Sequence, residues 1–204
     1  MATTTEDGAE HIIDIANKVG VEFYQGAVND VLDRFYQAAK PESPDYIVRI
    51  TSDCPLIDPV IIDKVIDVCI ESGCDYASNG LFPTYPDGID VEIFRFSALE
   101  KAWNEATLTS DREHVTPYIW RNSTEKGGCL FKSVNVSNDT DWSGERITVD
   151  TQDDFLVVRN LIEQVGIDKS CKDYVAYLET HPEIRAINQH NSRNEGYAKS
   201  LLND

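Results

Sequence analysis

The sequence is poor in positive charge. It has 18 Lys and Arg residues against 36 Asp and Glu residues, which gives a formal net charge of −18. Binding to nucleic acid or to an anionic membrane surface needs clustered cations, so this balance argues against both kinds of partner. A phosphate-bearing ligand would have to be held by a few local cations, by helix N-termini or by a metal ion.

Several patterns that carry a recognised chemistry are also missing. The five cysteines form no CxxC pair and have no zinc-like spacing, so we expect free thiols in a reducing cytoplasm. No apolar run approaches the ~18 residues of a membrane span. The chain contains no P-loop, no GxGxxG stretch and no nucleophile elbow. A cytoplasmic protein without a nucleic-acid or membrane partner is the resulting expectation.

What the chain does contain is a repeated alternation of strand and helix patterns with short connections. This alternation predicts an α/β domain with a mostly parallel sheet. Residues 46–50 form an apolar, β-branched run that predicts a strand in the middle of that sheet. Pro55 forbids further ladder pairing, so Asp53 is expected in the loop that follows the strand. Asp58 and Pro59 then predict the start of a helix.

Two aspartates share this arrangement. Asp53 follows the predicted central strand, and Asp150 ends a predicted strand over 146–150, just before a helix that begins with the capping box of Thr151 and Asp154. If these strand ends are neighbours, both carboxylates can surround one hard cation, and all-oxygen ligands favour Mg²⁺. Strand-end aspartates are also common as turn formers and caps, and this second interpretation stays open.

Two further groups of polar residues are candidates for substrate binding. A strand predicted over 89–96 would place Asp90 and Glu92 on one face, where they can bind substrate hydroxyls or simply face solvent. Arg112 and His114 fall near the start of a helix predicted over 111–121. A cation is unfavourable at that end of the helix dipole, so an anionic ligand or a nearby carboxylate would compensate for it. A surface arginine and a packed histidine are the alternative.

Several stretches of the chain occur together, in order, in one known family. They are VLDRFYQAA (31–39), VRITSDCPLIDP (48–59), DYASN (75–79), YPDGIDVEIF (85–94), REHVTPYIW (112–120) and TVDTQDDF (148–155), with a further stretch in the tail over 181–202. On these residues the chain resembles the cytidylyltransferases. The similarity is to the branch of spore coat polysaccharide biosynthesis protein F, which is related to the synthetases that make CMP-activated keto-deoxyoctonate and acylneuraminate.

The resemblance implies a fold and an activity. The fold is the nucleotide-diphospho-sugar transferase fold, a Rossmann-like three-layer α/β arrangement. The reaction is the transfer of CMP from CTP to the hydroxyl of a sugar, expected here to be a sugar acid, with release of pyrophosphate, for cell-surface or spore-coat polysaccharide. A homodimer is implied, with 79–121 as the expected dimerisation segment, 1–170 as the nucleotidyltransferase domain and 171–204 as a C-terminal helical extension.

The resemblance also assigns roles to residues. It implies that Asp53 and Asp150 are catalytic and bind Mg²⁺, and that Asp53 and Gln25 lie at the nucleotide. Gln25 stands where relatives often carry an arginine near the base, which bears on selectivity for cytosine. The implied sugar-side groups are Asp87, Asp90, Glu92, Arg112 and His114.

One departure from the family pattern affects the expected activity. Family members begin with a strand and a loop bearing Gly, Arg and Lys that cradles the triphosphate, and this sequence begins at what matches the second strand. We therefore expect the sheet to lack its first strand and the nucleotide site to be incomplete as written. Two rival functions remain: a glycosyltransferase that uses a nucleotide sugar, and a non-catalytic binding or assembly subunit.

Overall fold

The computed structural model of the protein describes residues 1–204 and confirms the predicted α/β class. None of its helices has both the length and the apolar composition needed to cross a lipid bilayer. The strands are Ala2–Thr4 (β1), Tyr24–Gly26 (β2), Tyr46–Arg49 (β3), Tyr76–Ser78 (β4), Glu92–Arg95 (β5) and Ser133–Asn135 (β6). The helices are Ala9–Val19 (α1), Val31–Ala39 (α2), Pro59–Ser72 (α3), Phe96–Glu105 (α4), Thr109–His114 (α5), Pro117–Arg121 (α6), Gln152–Gln164 (α7), Cys171–Thr180 (α8), Pro182–Arg185 (α9) and Glu195–Ser200 (α10).

The strands form two sheets. Strands β1 and β2 pair in parallel, and the other four have the order β3-β5-β4-β6, with β4 and β6 also parallel. The chain divides into two compact units. Unit 1 comprises Met1–Ile47, Phe94–Phe131 and Gly196–Asp204, and unit 2 comprises Val48–Ile93 and Lys132–Glu195.

In unit 1, the core lies around α2. Helix α2 packs against α4 and α5, and its Leu32 is fully buried. The ring of Tyr36 stacks on Trp103 with 4.2 Å between centroids, and its hydroxyl donates a 3.0 Å hydrogen bond to Glu100. Stacked aromatic pairs of this kind contribute about 0.5–1.5 kcal/mol beyond the area they bury.

In unit 2, helix α3 packs against the parallel strands β4 and β6. Helix α3 begins as predicted, because Asp58 accepts a 2.9 Å hydrogen bond from the amide of Val60 and Pro59 occupies the first turn. The second oxygen of Asp58 accepts from the amide of Cys171, which connects the start of α3 to the start of α8. The largest fully buried side chains of this unit are Leu56, Tyr76, Ile89, Ile93, Ile147, Leu161, Tyr174 and Leu178.

Three predicted strands differ from the observed ones. Strand β3 forms as predicted but stands at the end of the order β3-β5-β4-β6, and Val48 on it is partly exposed. An apolar run identifies a strand without identifying its neighbours, and for this reason the central position was wrong. Strand β5 begins only at Glu92, and 146–150 forms no named strand.

The helix predicted over 111–121 is two helices. Helix α5 ends at His114, Val115 takes a φ of 73°, and α6 begins with Pro117. Pro117 has no N–H to continue the helical hydrogen bonds of α5 and instead occupies the first turn of α6, where that N–H is not needed. Arg112 and His114 consequently lie in the last turn of α5. The prediction that they lie near a helix start was wrong.

Candidate functional site

The segment 145–149 lies between two loops of unit 2, those of Asp53 and Asp87. On one side, the amide of Asp87 donates to the carbonyl of Glu145 at 2.9 Å, and the amide of Ile147 donates to the carbonyl of Asp87 at 2.7 Å. On the other side, the carbonyl of Asp53 accepts from the amide of Val149 at 2.9 Å and from the hydroxyl of Thr148 at 3.0 Å. Because the segment changes partner after Ile147, its pairing is too short on either side to make a strand. The backbone brings the loop of Asp53 next to that of Asp150.

Gly88 permits the close approach on the Asp87 side. Its φ is 104°, and a β-carbon at this position would lie 2.5 Å from the amide nitrogen of Thr148. Both the backbone conformation and the lack of space exclude a side chain. The residue after Asp87 must therefore be glycine for the loop to pair with 145–149.

Arg146 contacts three carboxylates beside the segment 145–149. Its guanidinium contacts Asp87 at 2.5 Å, Asp150 at 2.6 Å and Asp154 at 2.8 Å. The arginine side chain is 9% exposed and that of Asp154 is 0% exposed. Hydrogen bonds to Asp154 raise the pKa of Arg146 despite its burial, and the guanidinium stays charged.

Asp154 performs two tasks. Its carboxylate accepts from the amide of Thr151, and its own amide donates to the hydroxyl of Thr151, which confirms the predicted capping box of α7. Burial raises the pKa of Asp154, but hydrogen bonds from Arg146 and Asn188 outweigh that effect and hold the pKa well below its ordinary value. The capping residue thus also fixes Arg146, a contact that the sequence did not predict.

The pKa of Asp87 is shifted in the opposite direction to that of Asp154. Burial raises the pKa of its carboxyl to about 6, and the charges of Asp90 and Asp150 act in the same direction. Arg193 and Arg146 oppose this rise. Asp90 accepts from the amide of Gly88 at 3.2 Å and pairs with Arg193 at 2.5 Å.

The two predicted metal ligands differ in their surroundings. The carboxylate of Asp53 accepts a single weak bond, from the thiol of Cys54 at 3.4 Å, and burial raises the pKa of that thiol to about 12. The carboxylate of Asp150 is exposed and accepts from Arg146. No three acidic, histidine or cysteine side chains converge in an arrangement able to hold a metal ion by themselves.

The charges nevertheless fit a hard cation. This part of unit 2 has five carboxylates, Asp53, Asp87, Asp90, Asp150 and Asp154, and two guanidinium groups, Arg146 and Arg193. Five negative charges less two positive ones leave three negative charges when all five acids are ionised. Mg²⁺ commonly takes only one or two carboxylates and completes its shell with water and substrate phosphates. The donor set of Asp53 and Asp150 is compatible with that mode of binding.

Glu92 lies apart from Asp90. As the first residue of β5, it accepts from Arg49 and from the hydroxyl of Tyr76, both at 2.6 Å. Burial, together with the charge of Glu92, raises the pKa of Tyr76 well above its ordinary value. The prediction that Asp90 and Glu92 share one face of a strand was wrong, because Asp90 precedes β5. Their roles as sugar-side groups stay predictions.

The remaining predicted residues, Arg112, His114 and Gln25, lie in unit 1. Arg112 donates two hydrogen bonds to Asp30, at 3.0 and 2.6 Å. The ring of His114 lies 2.9 Å from the hydroxyl of Ser200. Gln25 is exposed on β2, and its side chain donates to the carbonyl of Thr4 at 3.0 Å. A carboxylate, that of Asp30, thus pairs with Arg112, although the helix-start position for which a compensating charge was expected is not the one observed.

Comparison with known proteins identifies the family. A family model described as Cytidylyltransferase matches residues 1–197. The chain is 36% identical over 200 residues to the uncharacterized protein MJ1063 of Methanocaldococcus jannaschii, across 97% of this chain and 79% of the relative. It is 26% identical over 174 residues to the spore coat polysaccharide biosynthesis protein SpsF of Bacillus subtilis, across 81% of this chain and 68% of SpsF.

A solved structure supports the same assignment. The structure of a cytidylyltransferase from Leptospira borgpetersenii matches with a TM-score of 0.82 and 34% sequence identity, across 93% of this chain and 77% of that chain. The similarity extends over nearly the whole sequence and is present in both sequence and fold. The chain therefore belongs to the cytidylyltransferase family, whose members are nucleotidyltransferases that use CTP.

Proposed function

We propose that this protein transfers CMP from CTP to the hydroxyl of a sugar acid, releases pyrophosphate, and so activates a sugar for surface polysaccharide. Membership of the cytidylyltransferase family supports the nucleotide half of this reaction. The polysaccharide half is supported by similarity to SpsF, whose name assigns it to spore coat polysaccharide biosynthesis.

The observation that carries the proposal is the position of the segment 145–149. It pairs with the loop of Asp53 through Thr148 and Val149 and with that of Asp87 through Glu145 and Ile147, so both loops meet the segment that leads into Asp150. In the proposal, Asp53 and Asp150 hold Mg²⁺ and are the catalytic acids. When bound, Mg²⁺ would neutralise charge on the triphosphate and polarise the α-phosphate for in-line attack by the sugar hydroxyl.

The protein's own side chains have distinct tasks in this proposal. Arg146 orients Asp150 through their 2.6 Å contact and keeps Asp87 and Asp154 in place. Asp87 and Asp90 are adjacent acceptors suited to sugar hydroxyls, with Glu92, Arg112 and His114 as further candidates. Gln25 remains the candidate contact for the base.

The decisive experiment measures pyrophosphate release from CTP and Mg²⁺ with a panel of sugar acids and neutral sugars. Asp53→Asn and Asp150→Asn are each expected to lower the rate about a hundredfold or more. The matched control is Asp139→Asn, an exposed acid of the same unit, which is expected to leave the rate unchanged.

Titration calorimetry separates the rival functions. Heat of binding from CTP with Mg²⁺, lost in Asp53→Asn and Asp150→Asn, supports the proposed metal site. Unchanged rates in both variants would overturn it. Turnover of a nucleotide sugar with no pyrophosphate from CTP would indicate a glycosyltransferase, and a folded protein that binds no nucleotide would indicate a non-catalytic subunit.

Three further parts of the proposal concern organisation. We propose a cytoplasmic homodimer that associates through residues 79–121, and a nucleotidyltransferase domain over 1–170 followed by a helical extension over 171–204. Light scattering gives the test of the dimer, since one chain has a mass of 22.9 kDa. A mass near that value would contradict it.

A further inference from the structure

The segment 188–193 lies against the acidic loops of unit 2. Asn188 is buried and its amide group donates to the carbonyl of Arg146 at 3.1 Å and to Asp154 at 2.9 Å. Asn191 donates to the hydroxyl of Thr151 at 3.0 Å. Both asparagines thus contact the capping box of α7, and Asn188 also contacts the backbone of Arg146.

Arg193 extends this contact to the loop over 85–90. Its guanidinium donates to the carbonyl of Tyr85 at 3.0 Å and pairs with Asp90 at 2.5 Å. Its Nε atom lies 3.9 Å from Asp87. One planar, mostly buried cation therefore holds the backbone at one end of the loop and the carboxylate at the other.

The loop needs such a cation because of its own charges. Asp87 and Asp90 repel each other, and Asp150 adds to that repulsion. The carboxylate of Asp90 also accepts from the amide of Gly88, so its orientation is coupled to the glycine that contacts 145–149. Removing the guanidinium would leave Asp90 without its ion partner, beside the charge of Asp87, and would free the carbonyl of Tyr85 on a loop without regular secondary structure.

We propose that Arg193 is a positioning residue, which holds the loop over 85–90 in the conformation that receives the acceptor sugar. This inference rests on the proposed function, in which Asp87 and Asp90 are the sugar-side groups. Arg193 acts through Asp90 and Tyr85 and does not itself contact the reacting atoms. Its loss should therefore weaken use of the acceptor and leave CTP binding as it was.

Steady-state kinetics of Arg193→Met give the first test. The expected result is an increase of about ten- to a hundredfold in KM for the acceptor, because a displaced binding group commonly has an effect of this size, with little change in KM for CTP. Arg193→Lys should recover part of the loss, since a lysine can pair with Asp90 but cannot span to the carbonyl of Tyr85 as well. The matched control is Arg159→Met, an exposed arginine on α7. An equal change in both KM values, or none, would overturn the proposal.

Hydrogen exchange gives a second test that needs no activity. In the protein without ligands, Arg193→Met is expected to increase exchange of the amides over 85–91 at least tenfold and to leave those of α3 unchanged. Unchanged exchange over 85–91 would overturn the positioning role whatever reaction the protein performs. Faster exchange there, in a protein that releases no pyrophosphate from CTP, would support the contact and contradict the proposed function instead.

Discussion

Two arginines of this protein pair with aspartates in different ways. Arg112 in unit 1 is 23% exposed and meets one carboxylate, that of Asp30, which also caps α2. Arg146 in unit 2 is 9% exposed and meets three. In the first pair, one positive charge meets one negative charge, and the pair joins the end of α5 to the start of α2. In the group around Arg146, one positive charge meets three carboxylates, which leaves uncompensated negative charge, as a site that binds a cation would require.

The largest expected effect comes from removing the arginine of the unbalanced group. Arg146→Met leaves the fully buried Asp154 without its ion partner, and breaking a buried pair in this way costs about 3–5 kcal/mol of unfolding free energy. Arg112→Met removes a partly exposed pair and should cost about 1–2 kcal/mol. Urea unfolding at pH 7 measures both values.

Equal losses for the two variants would contradict the distinction between a balanced and an unbalanced pair. Arg146→Lys provides the matched control for charge. A lysine keeps the positive charge but lacks the planar fork that reaches three carboxylates, so the variant should recover only part of the stability.

An intermediate effect is expected in the dependence of stability on pH. The folded-state pKa of Asp87 is raised to about 6, and that of an unfolded aspartate is about 4. Between these values the folded state binds more protons than the unfolded state, so this group lowers stability as pH rises, by at most about 3 kcal/mol. Asp87→Asn should remove that decline. Urea unfolding in the presence of a metal chelator, at intervals of half a pH unit from pH 4 to 7, measures this decline in unfolding free energy.

The comparison uses the slope of unfolding free energy against pH and not its absolute value, because Asp87→Asn also weakens a contact with Arg146. Asp139→Asn is again the control, since its exposed side chain should leave the slope unchanged. Parallel curves for wild type and Asp87→Asn over this window would contradict the assigned cause of the shift.

The smallest expected effect on stability distinguishes two sequences with capping-box spacing, those that begin at Thr151 and at Ser97. Thr151 accepts a hydrogen bond from the amide of Asp154, so Thr151→Ala should lower the unfolding free energy by about 1 kcal/mol. Ser97 and Glu100 have the same capping-box spacing, but Ser97 makes no such bond because α4 begins at Phe96. Ser97→Ala should therefore change stability by less than about 0.5 kcal/mol. Thermal unfolding distinguishes the two, and similar losses would argue against the assigned start of α4.

Local patterns predicted much of unit 2 correctly. The start of α3 at Asp58 and Pro59 and that of α7 at Thr151 and Asp154 follow from interactions within one turn of helix. The same reasoning fails for Ser110, which has the capping-box spacing to Glu113 but lies inside α5. Its hydroxyl and amide bind Asp204 instead, a partner 94 residues away that no local pattern reveals.

The sequence by itself determined the α/β class and the family, because these depend on residue order and on interactions between close neighbours in the chain. Only the tertiary structure decided that Arg146 joins Asp87, Asp150 and Asp154, and that Arg193 lies across the loop over 85–90. An arginine in a polar stretch carries no local signal of its partner. Its position is set by the packing of distant segments, where pairing offsets the cost of burying charge.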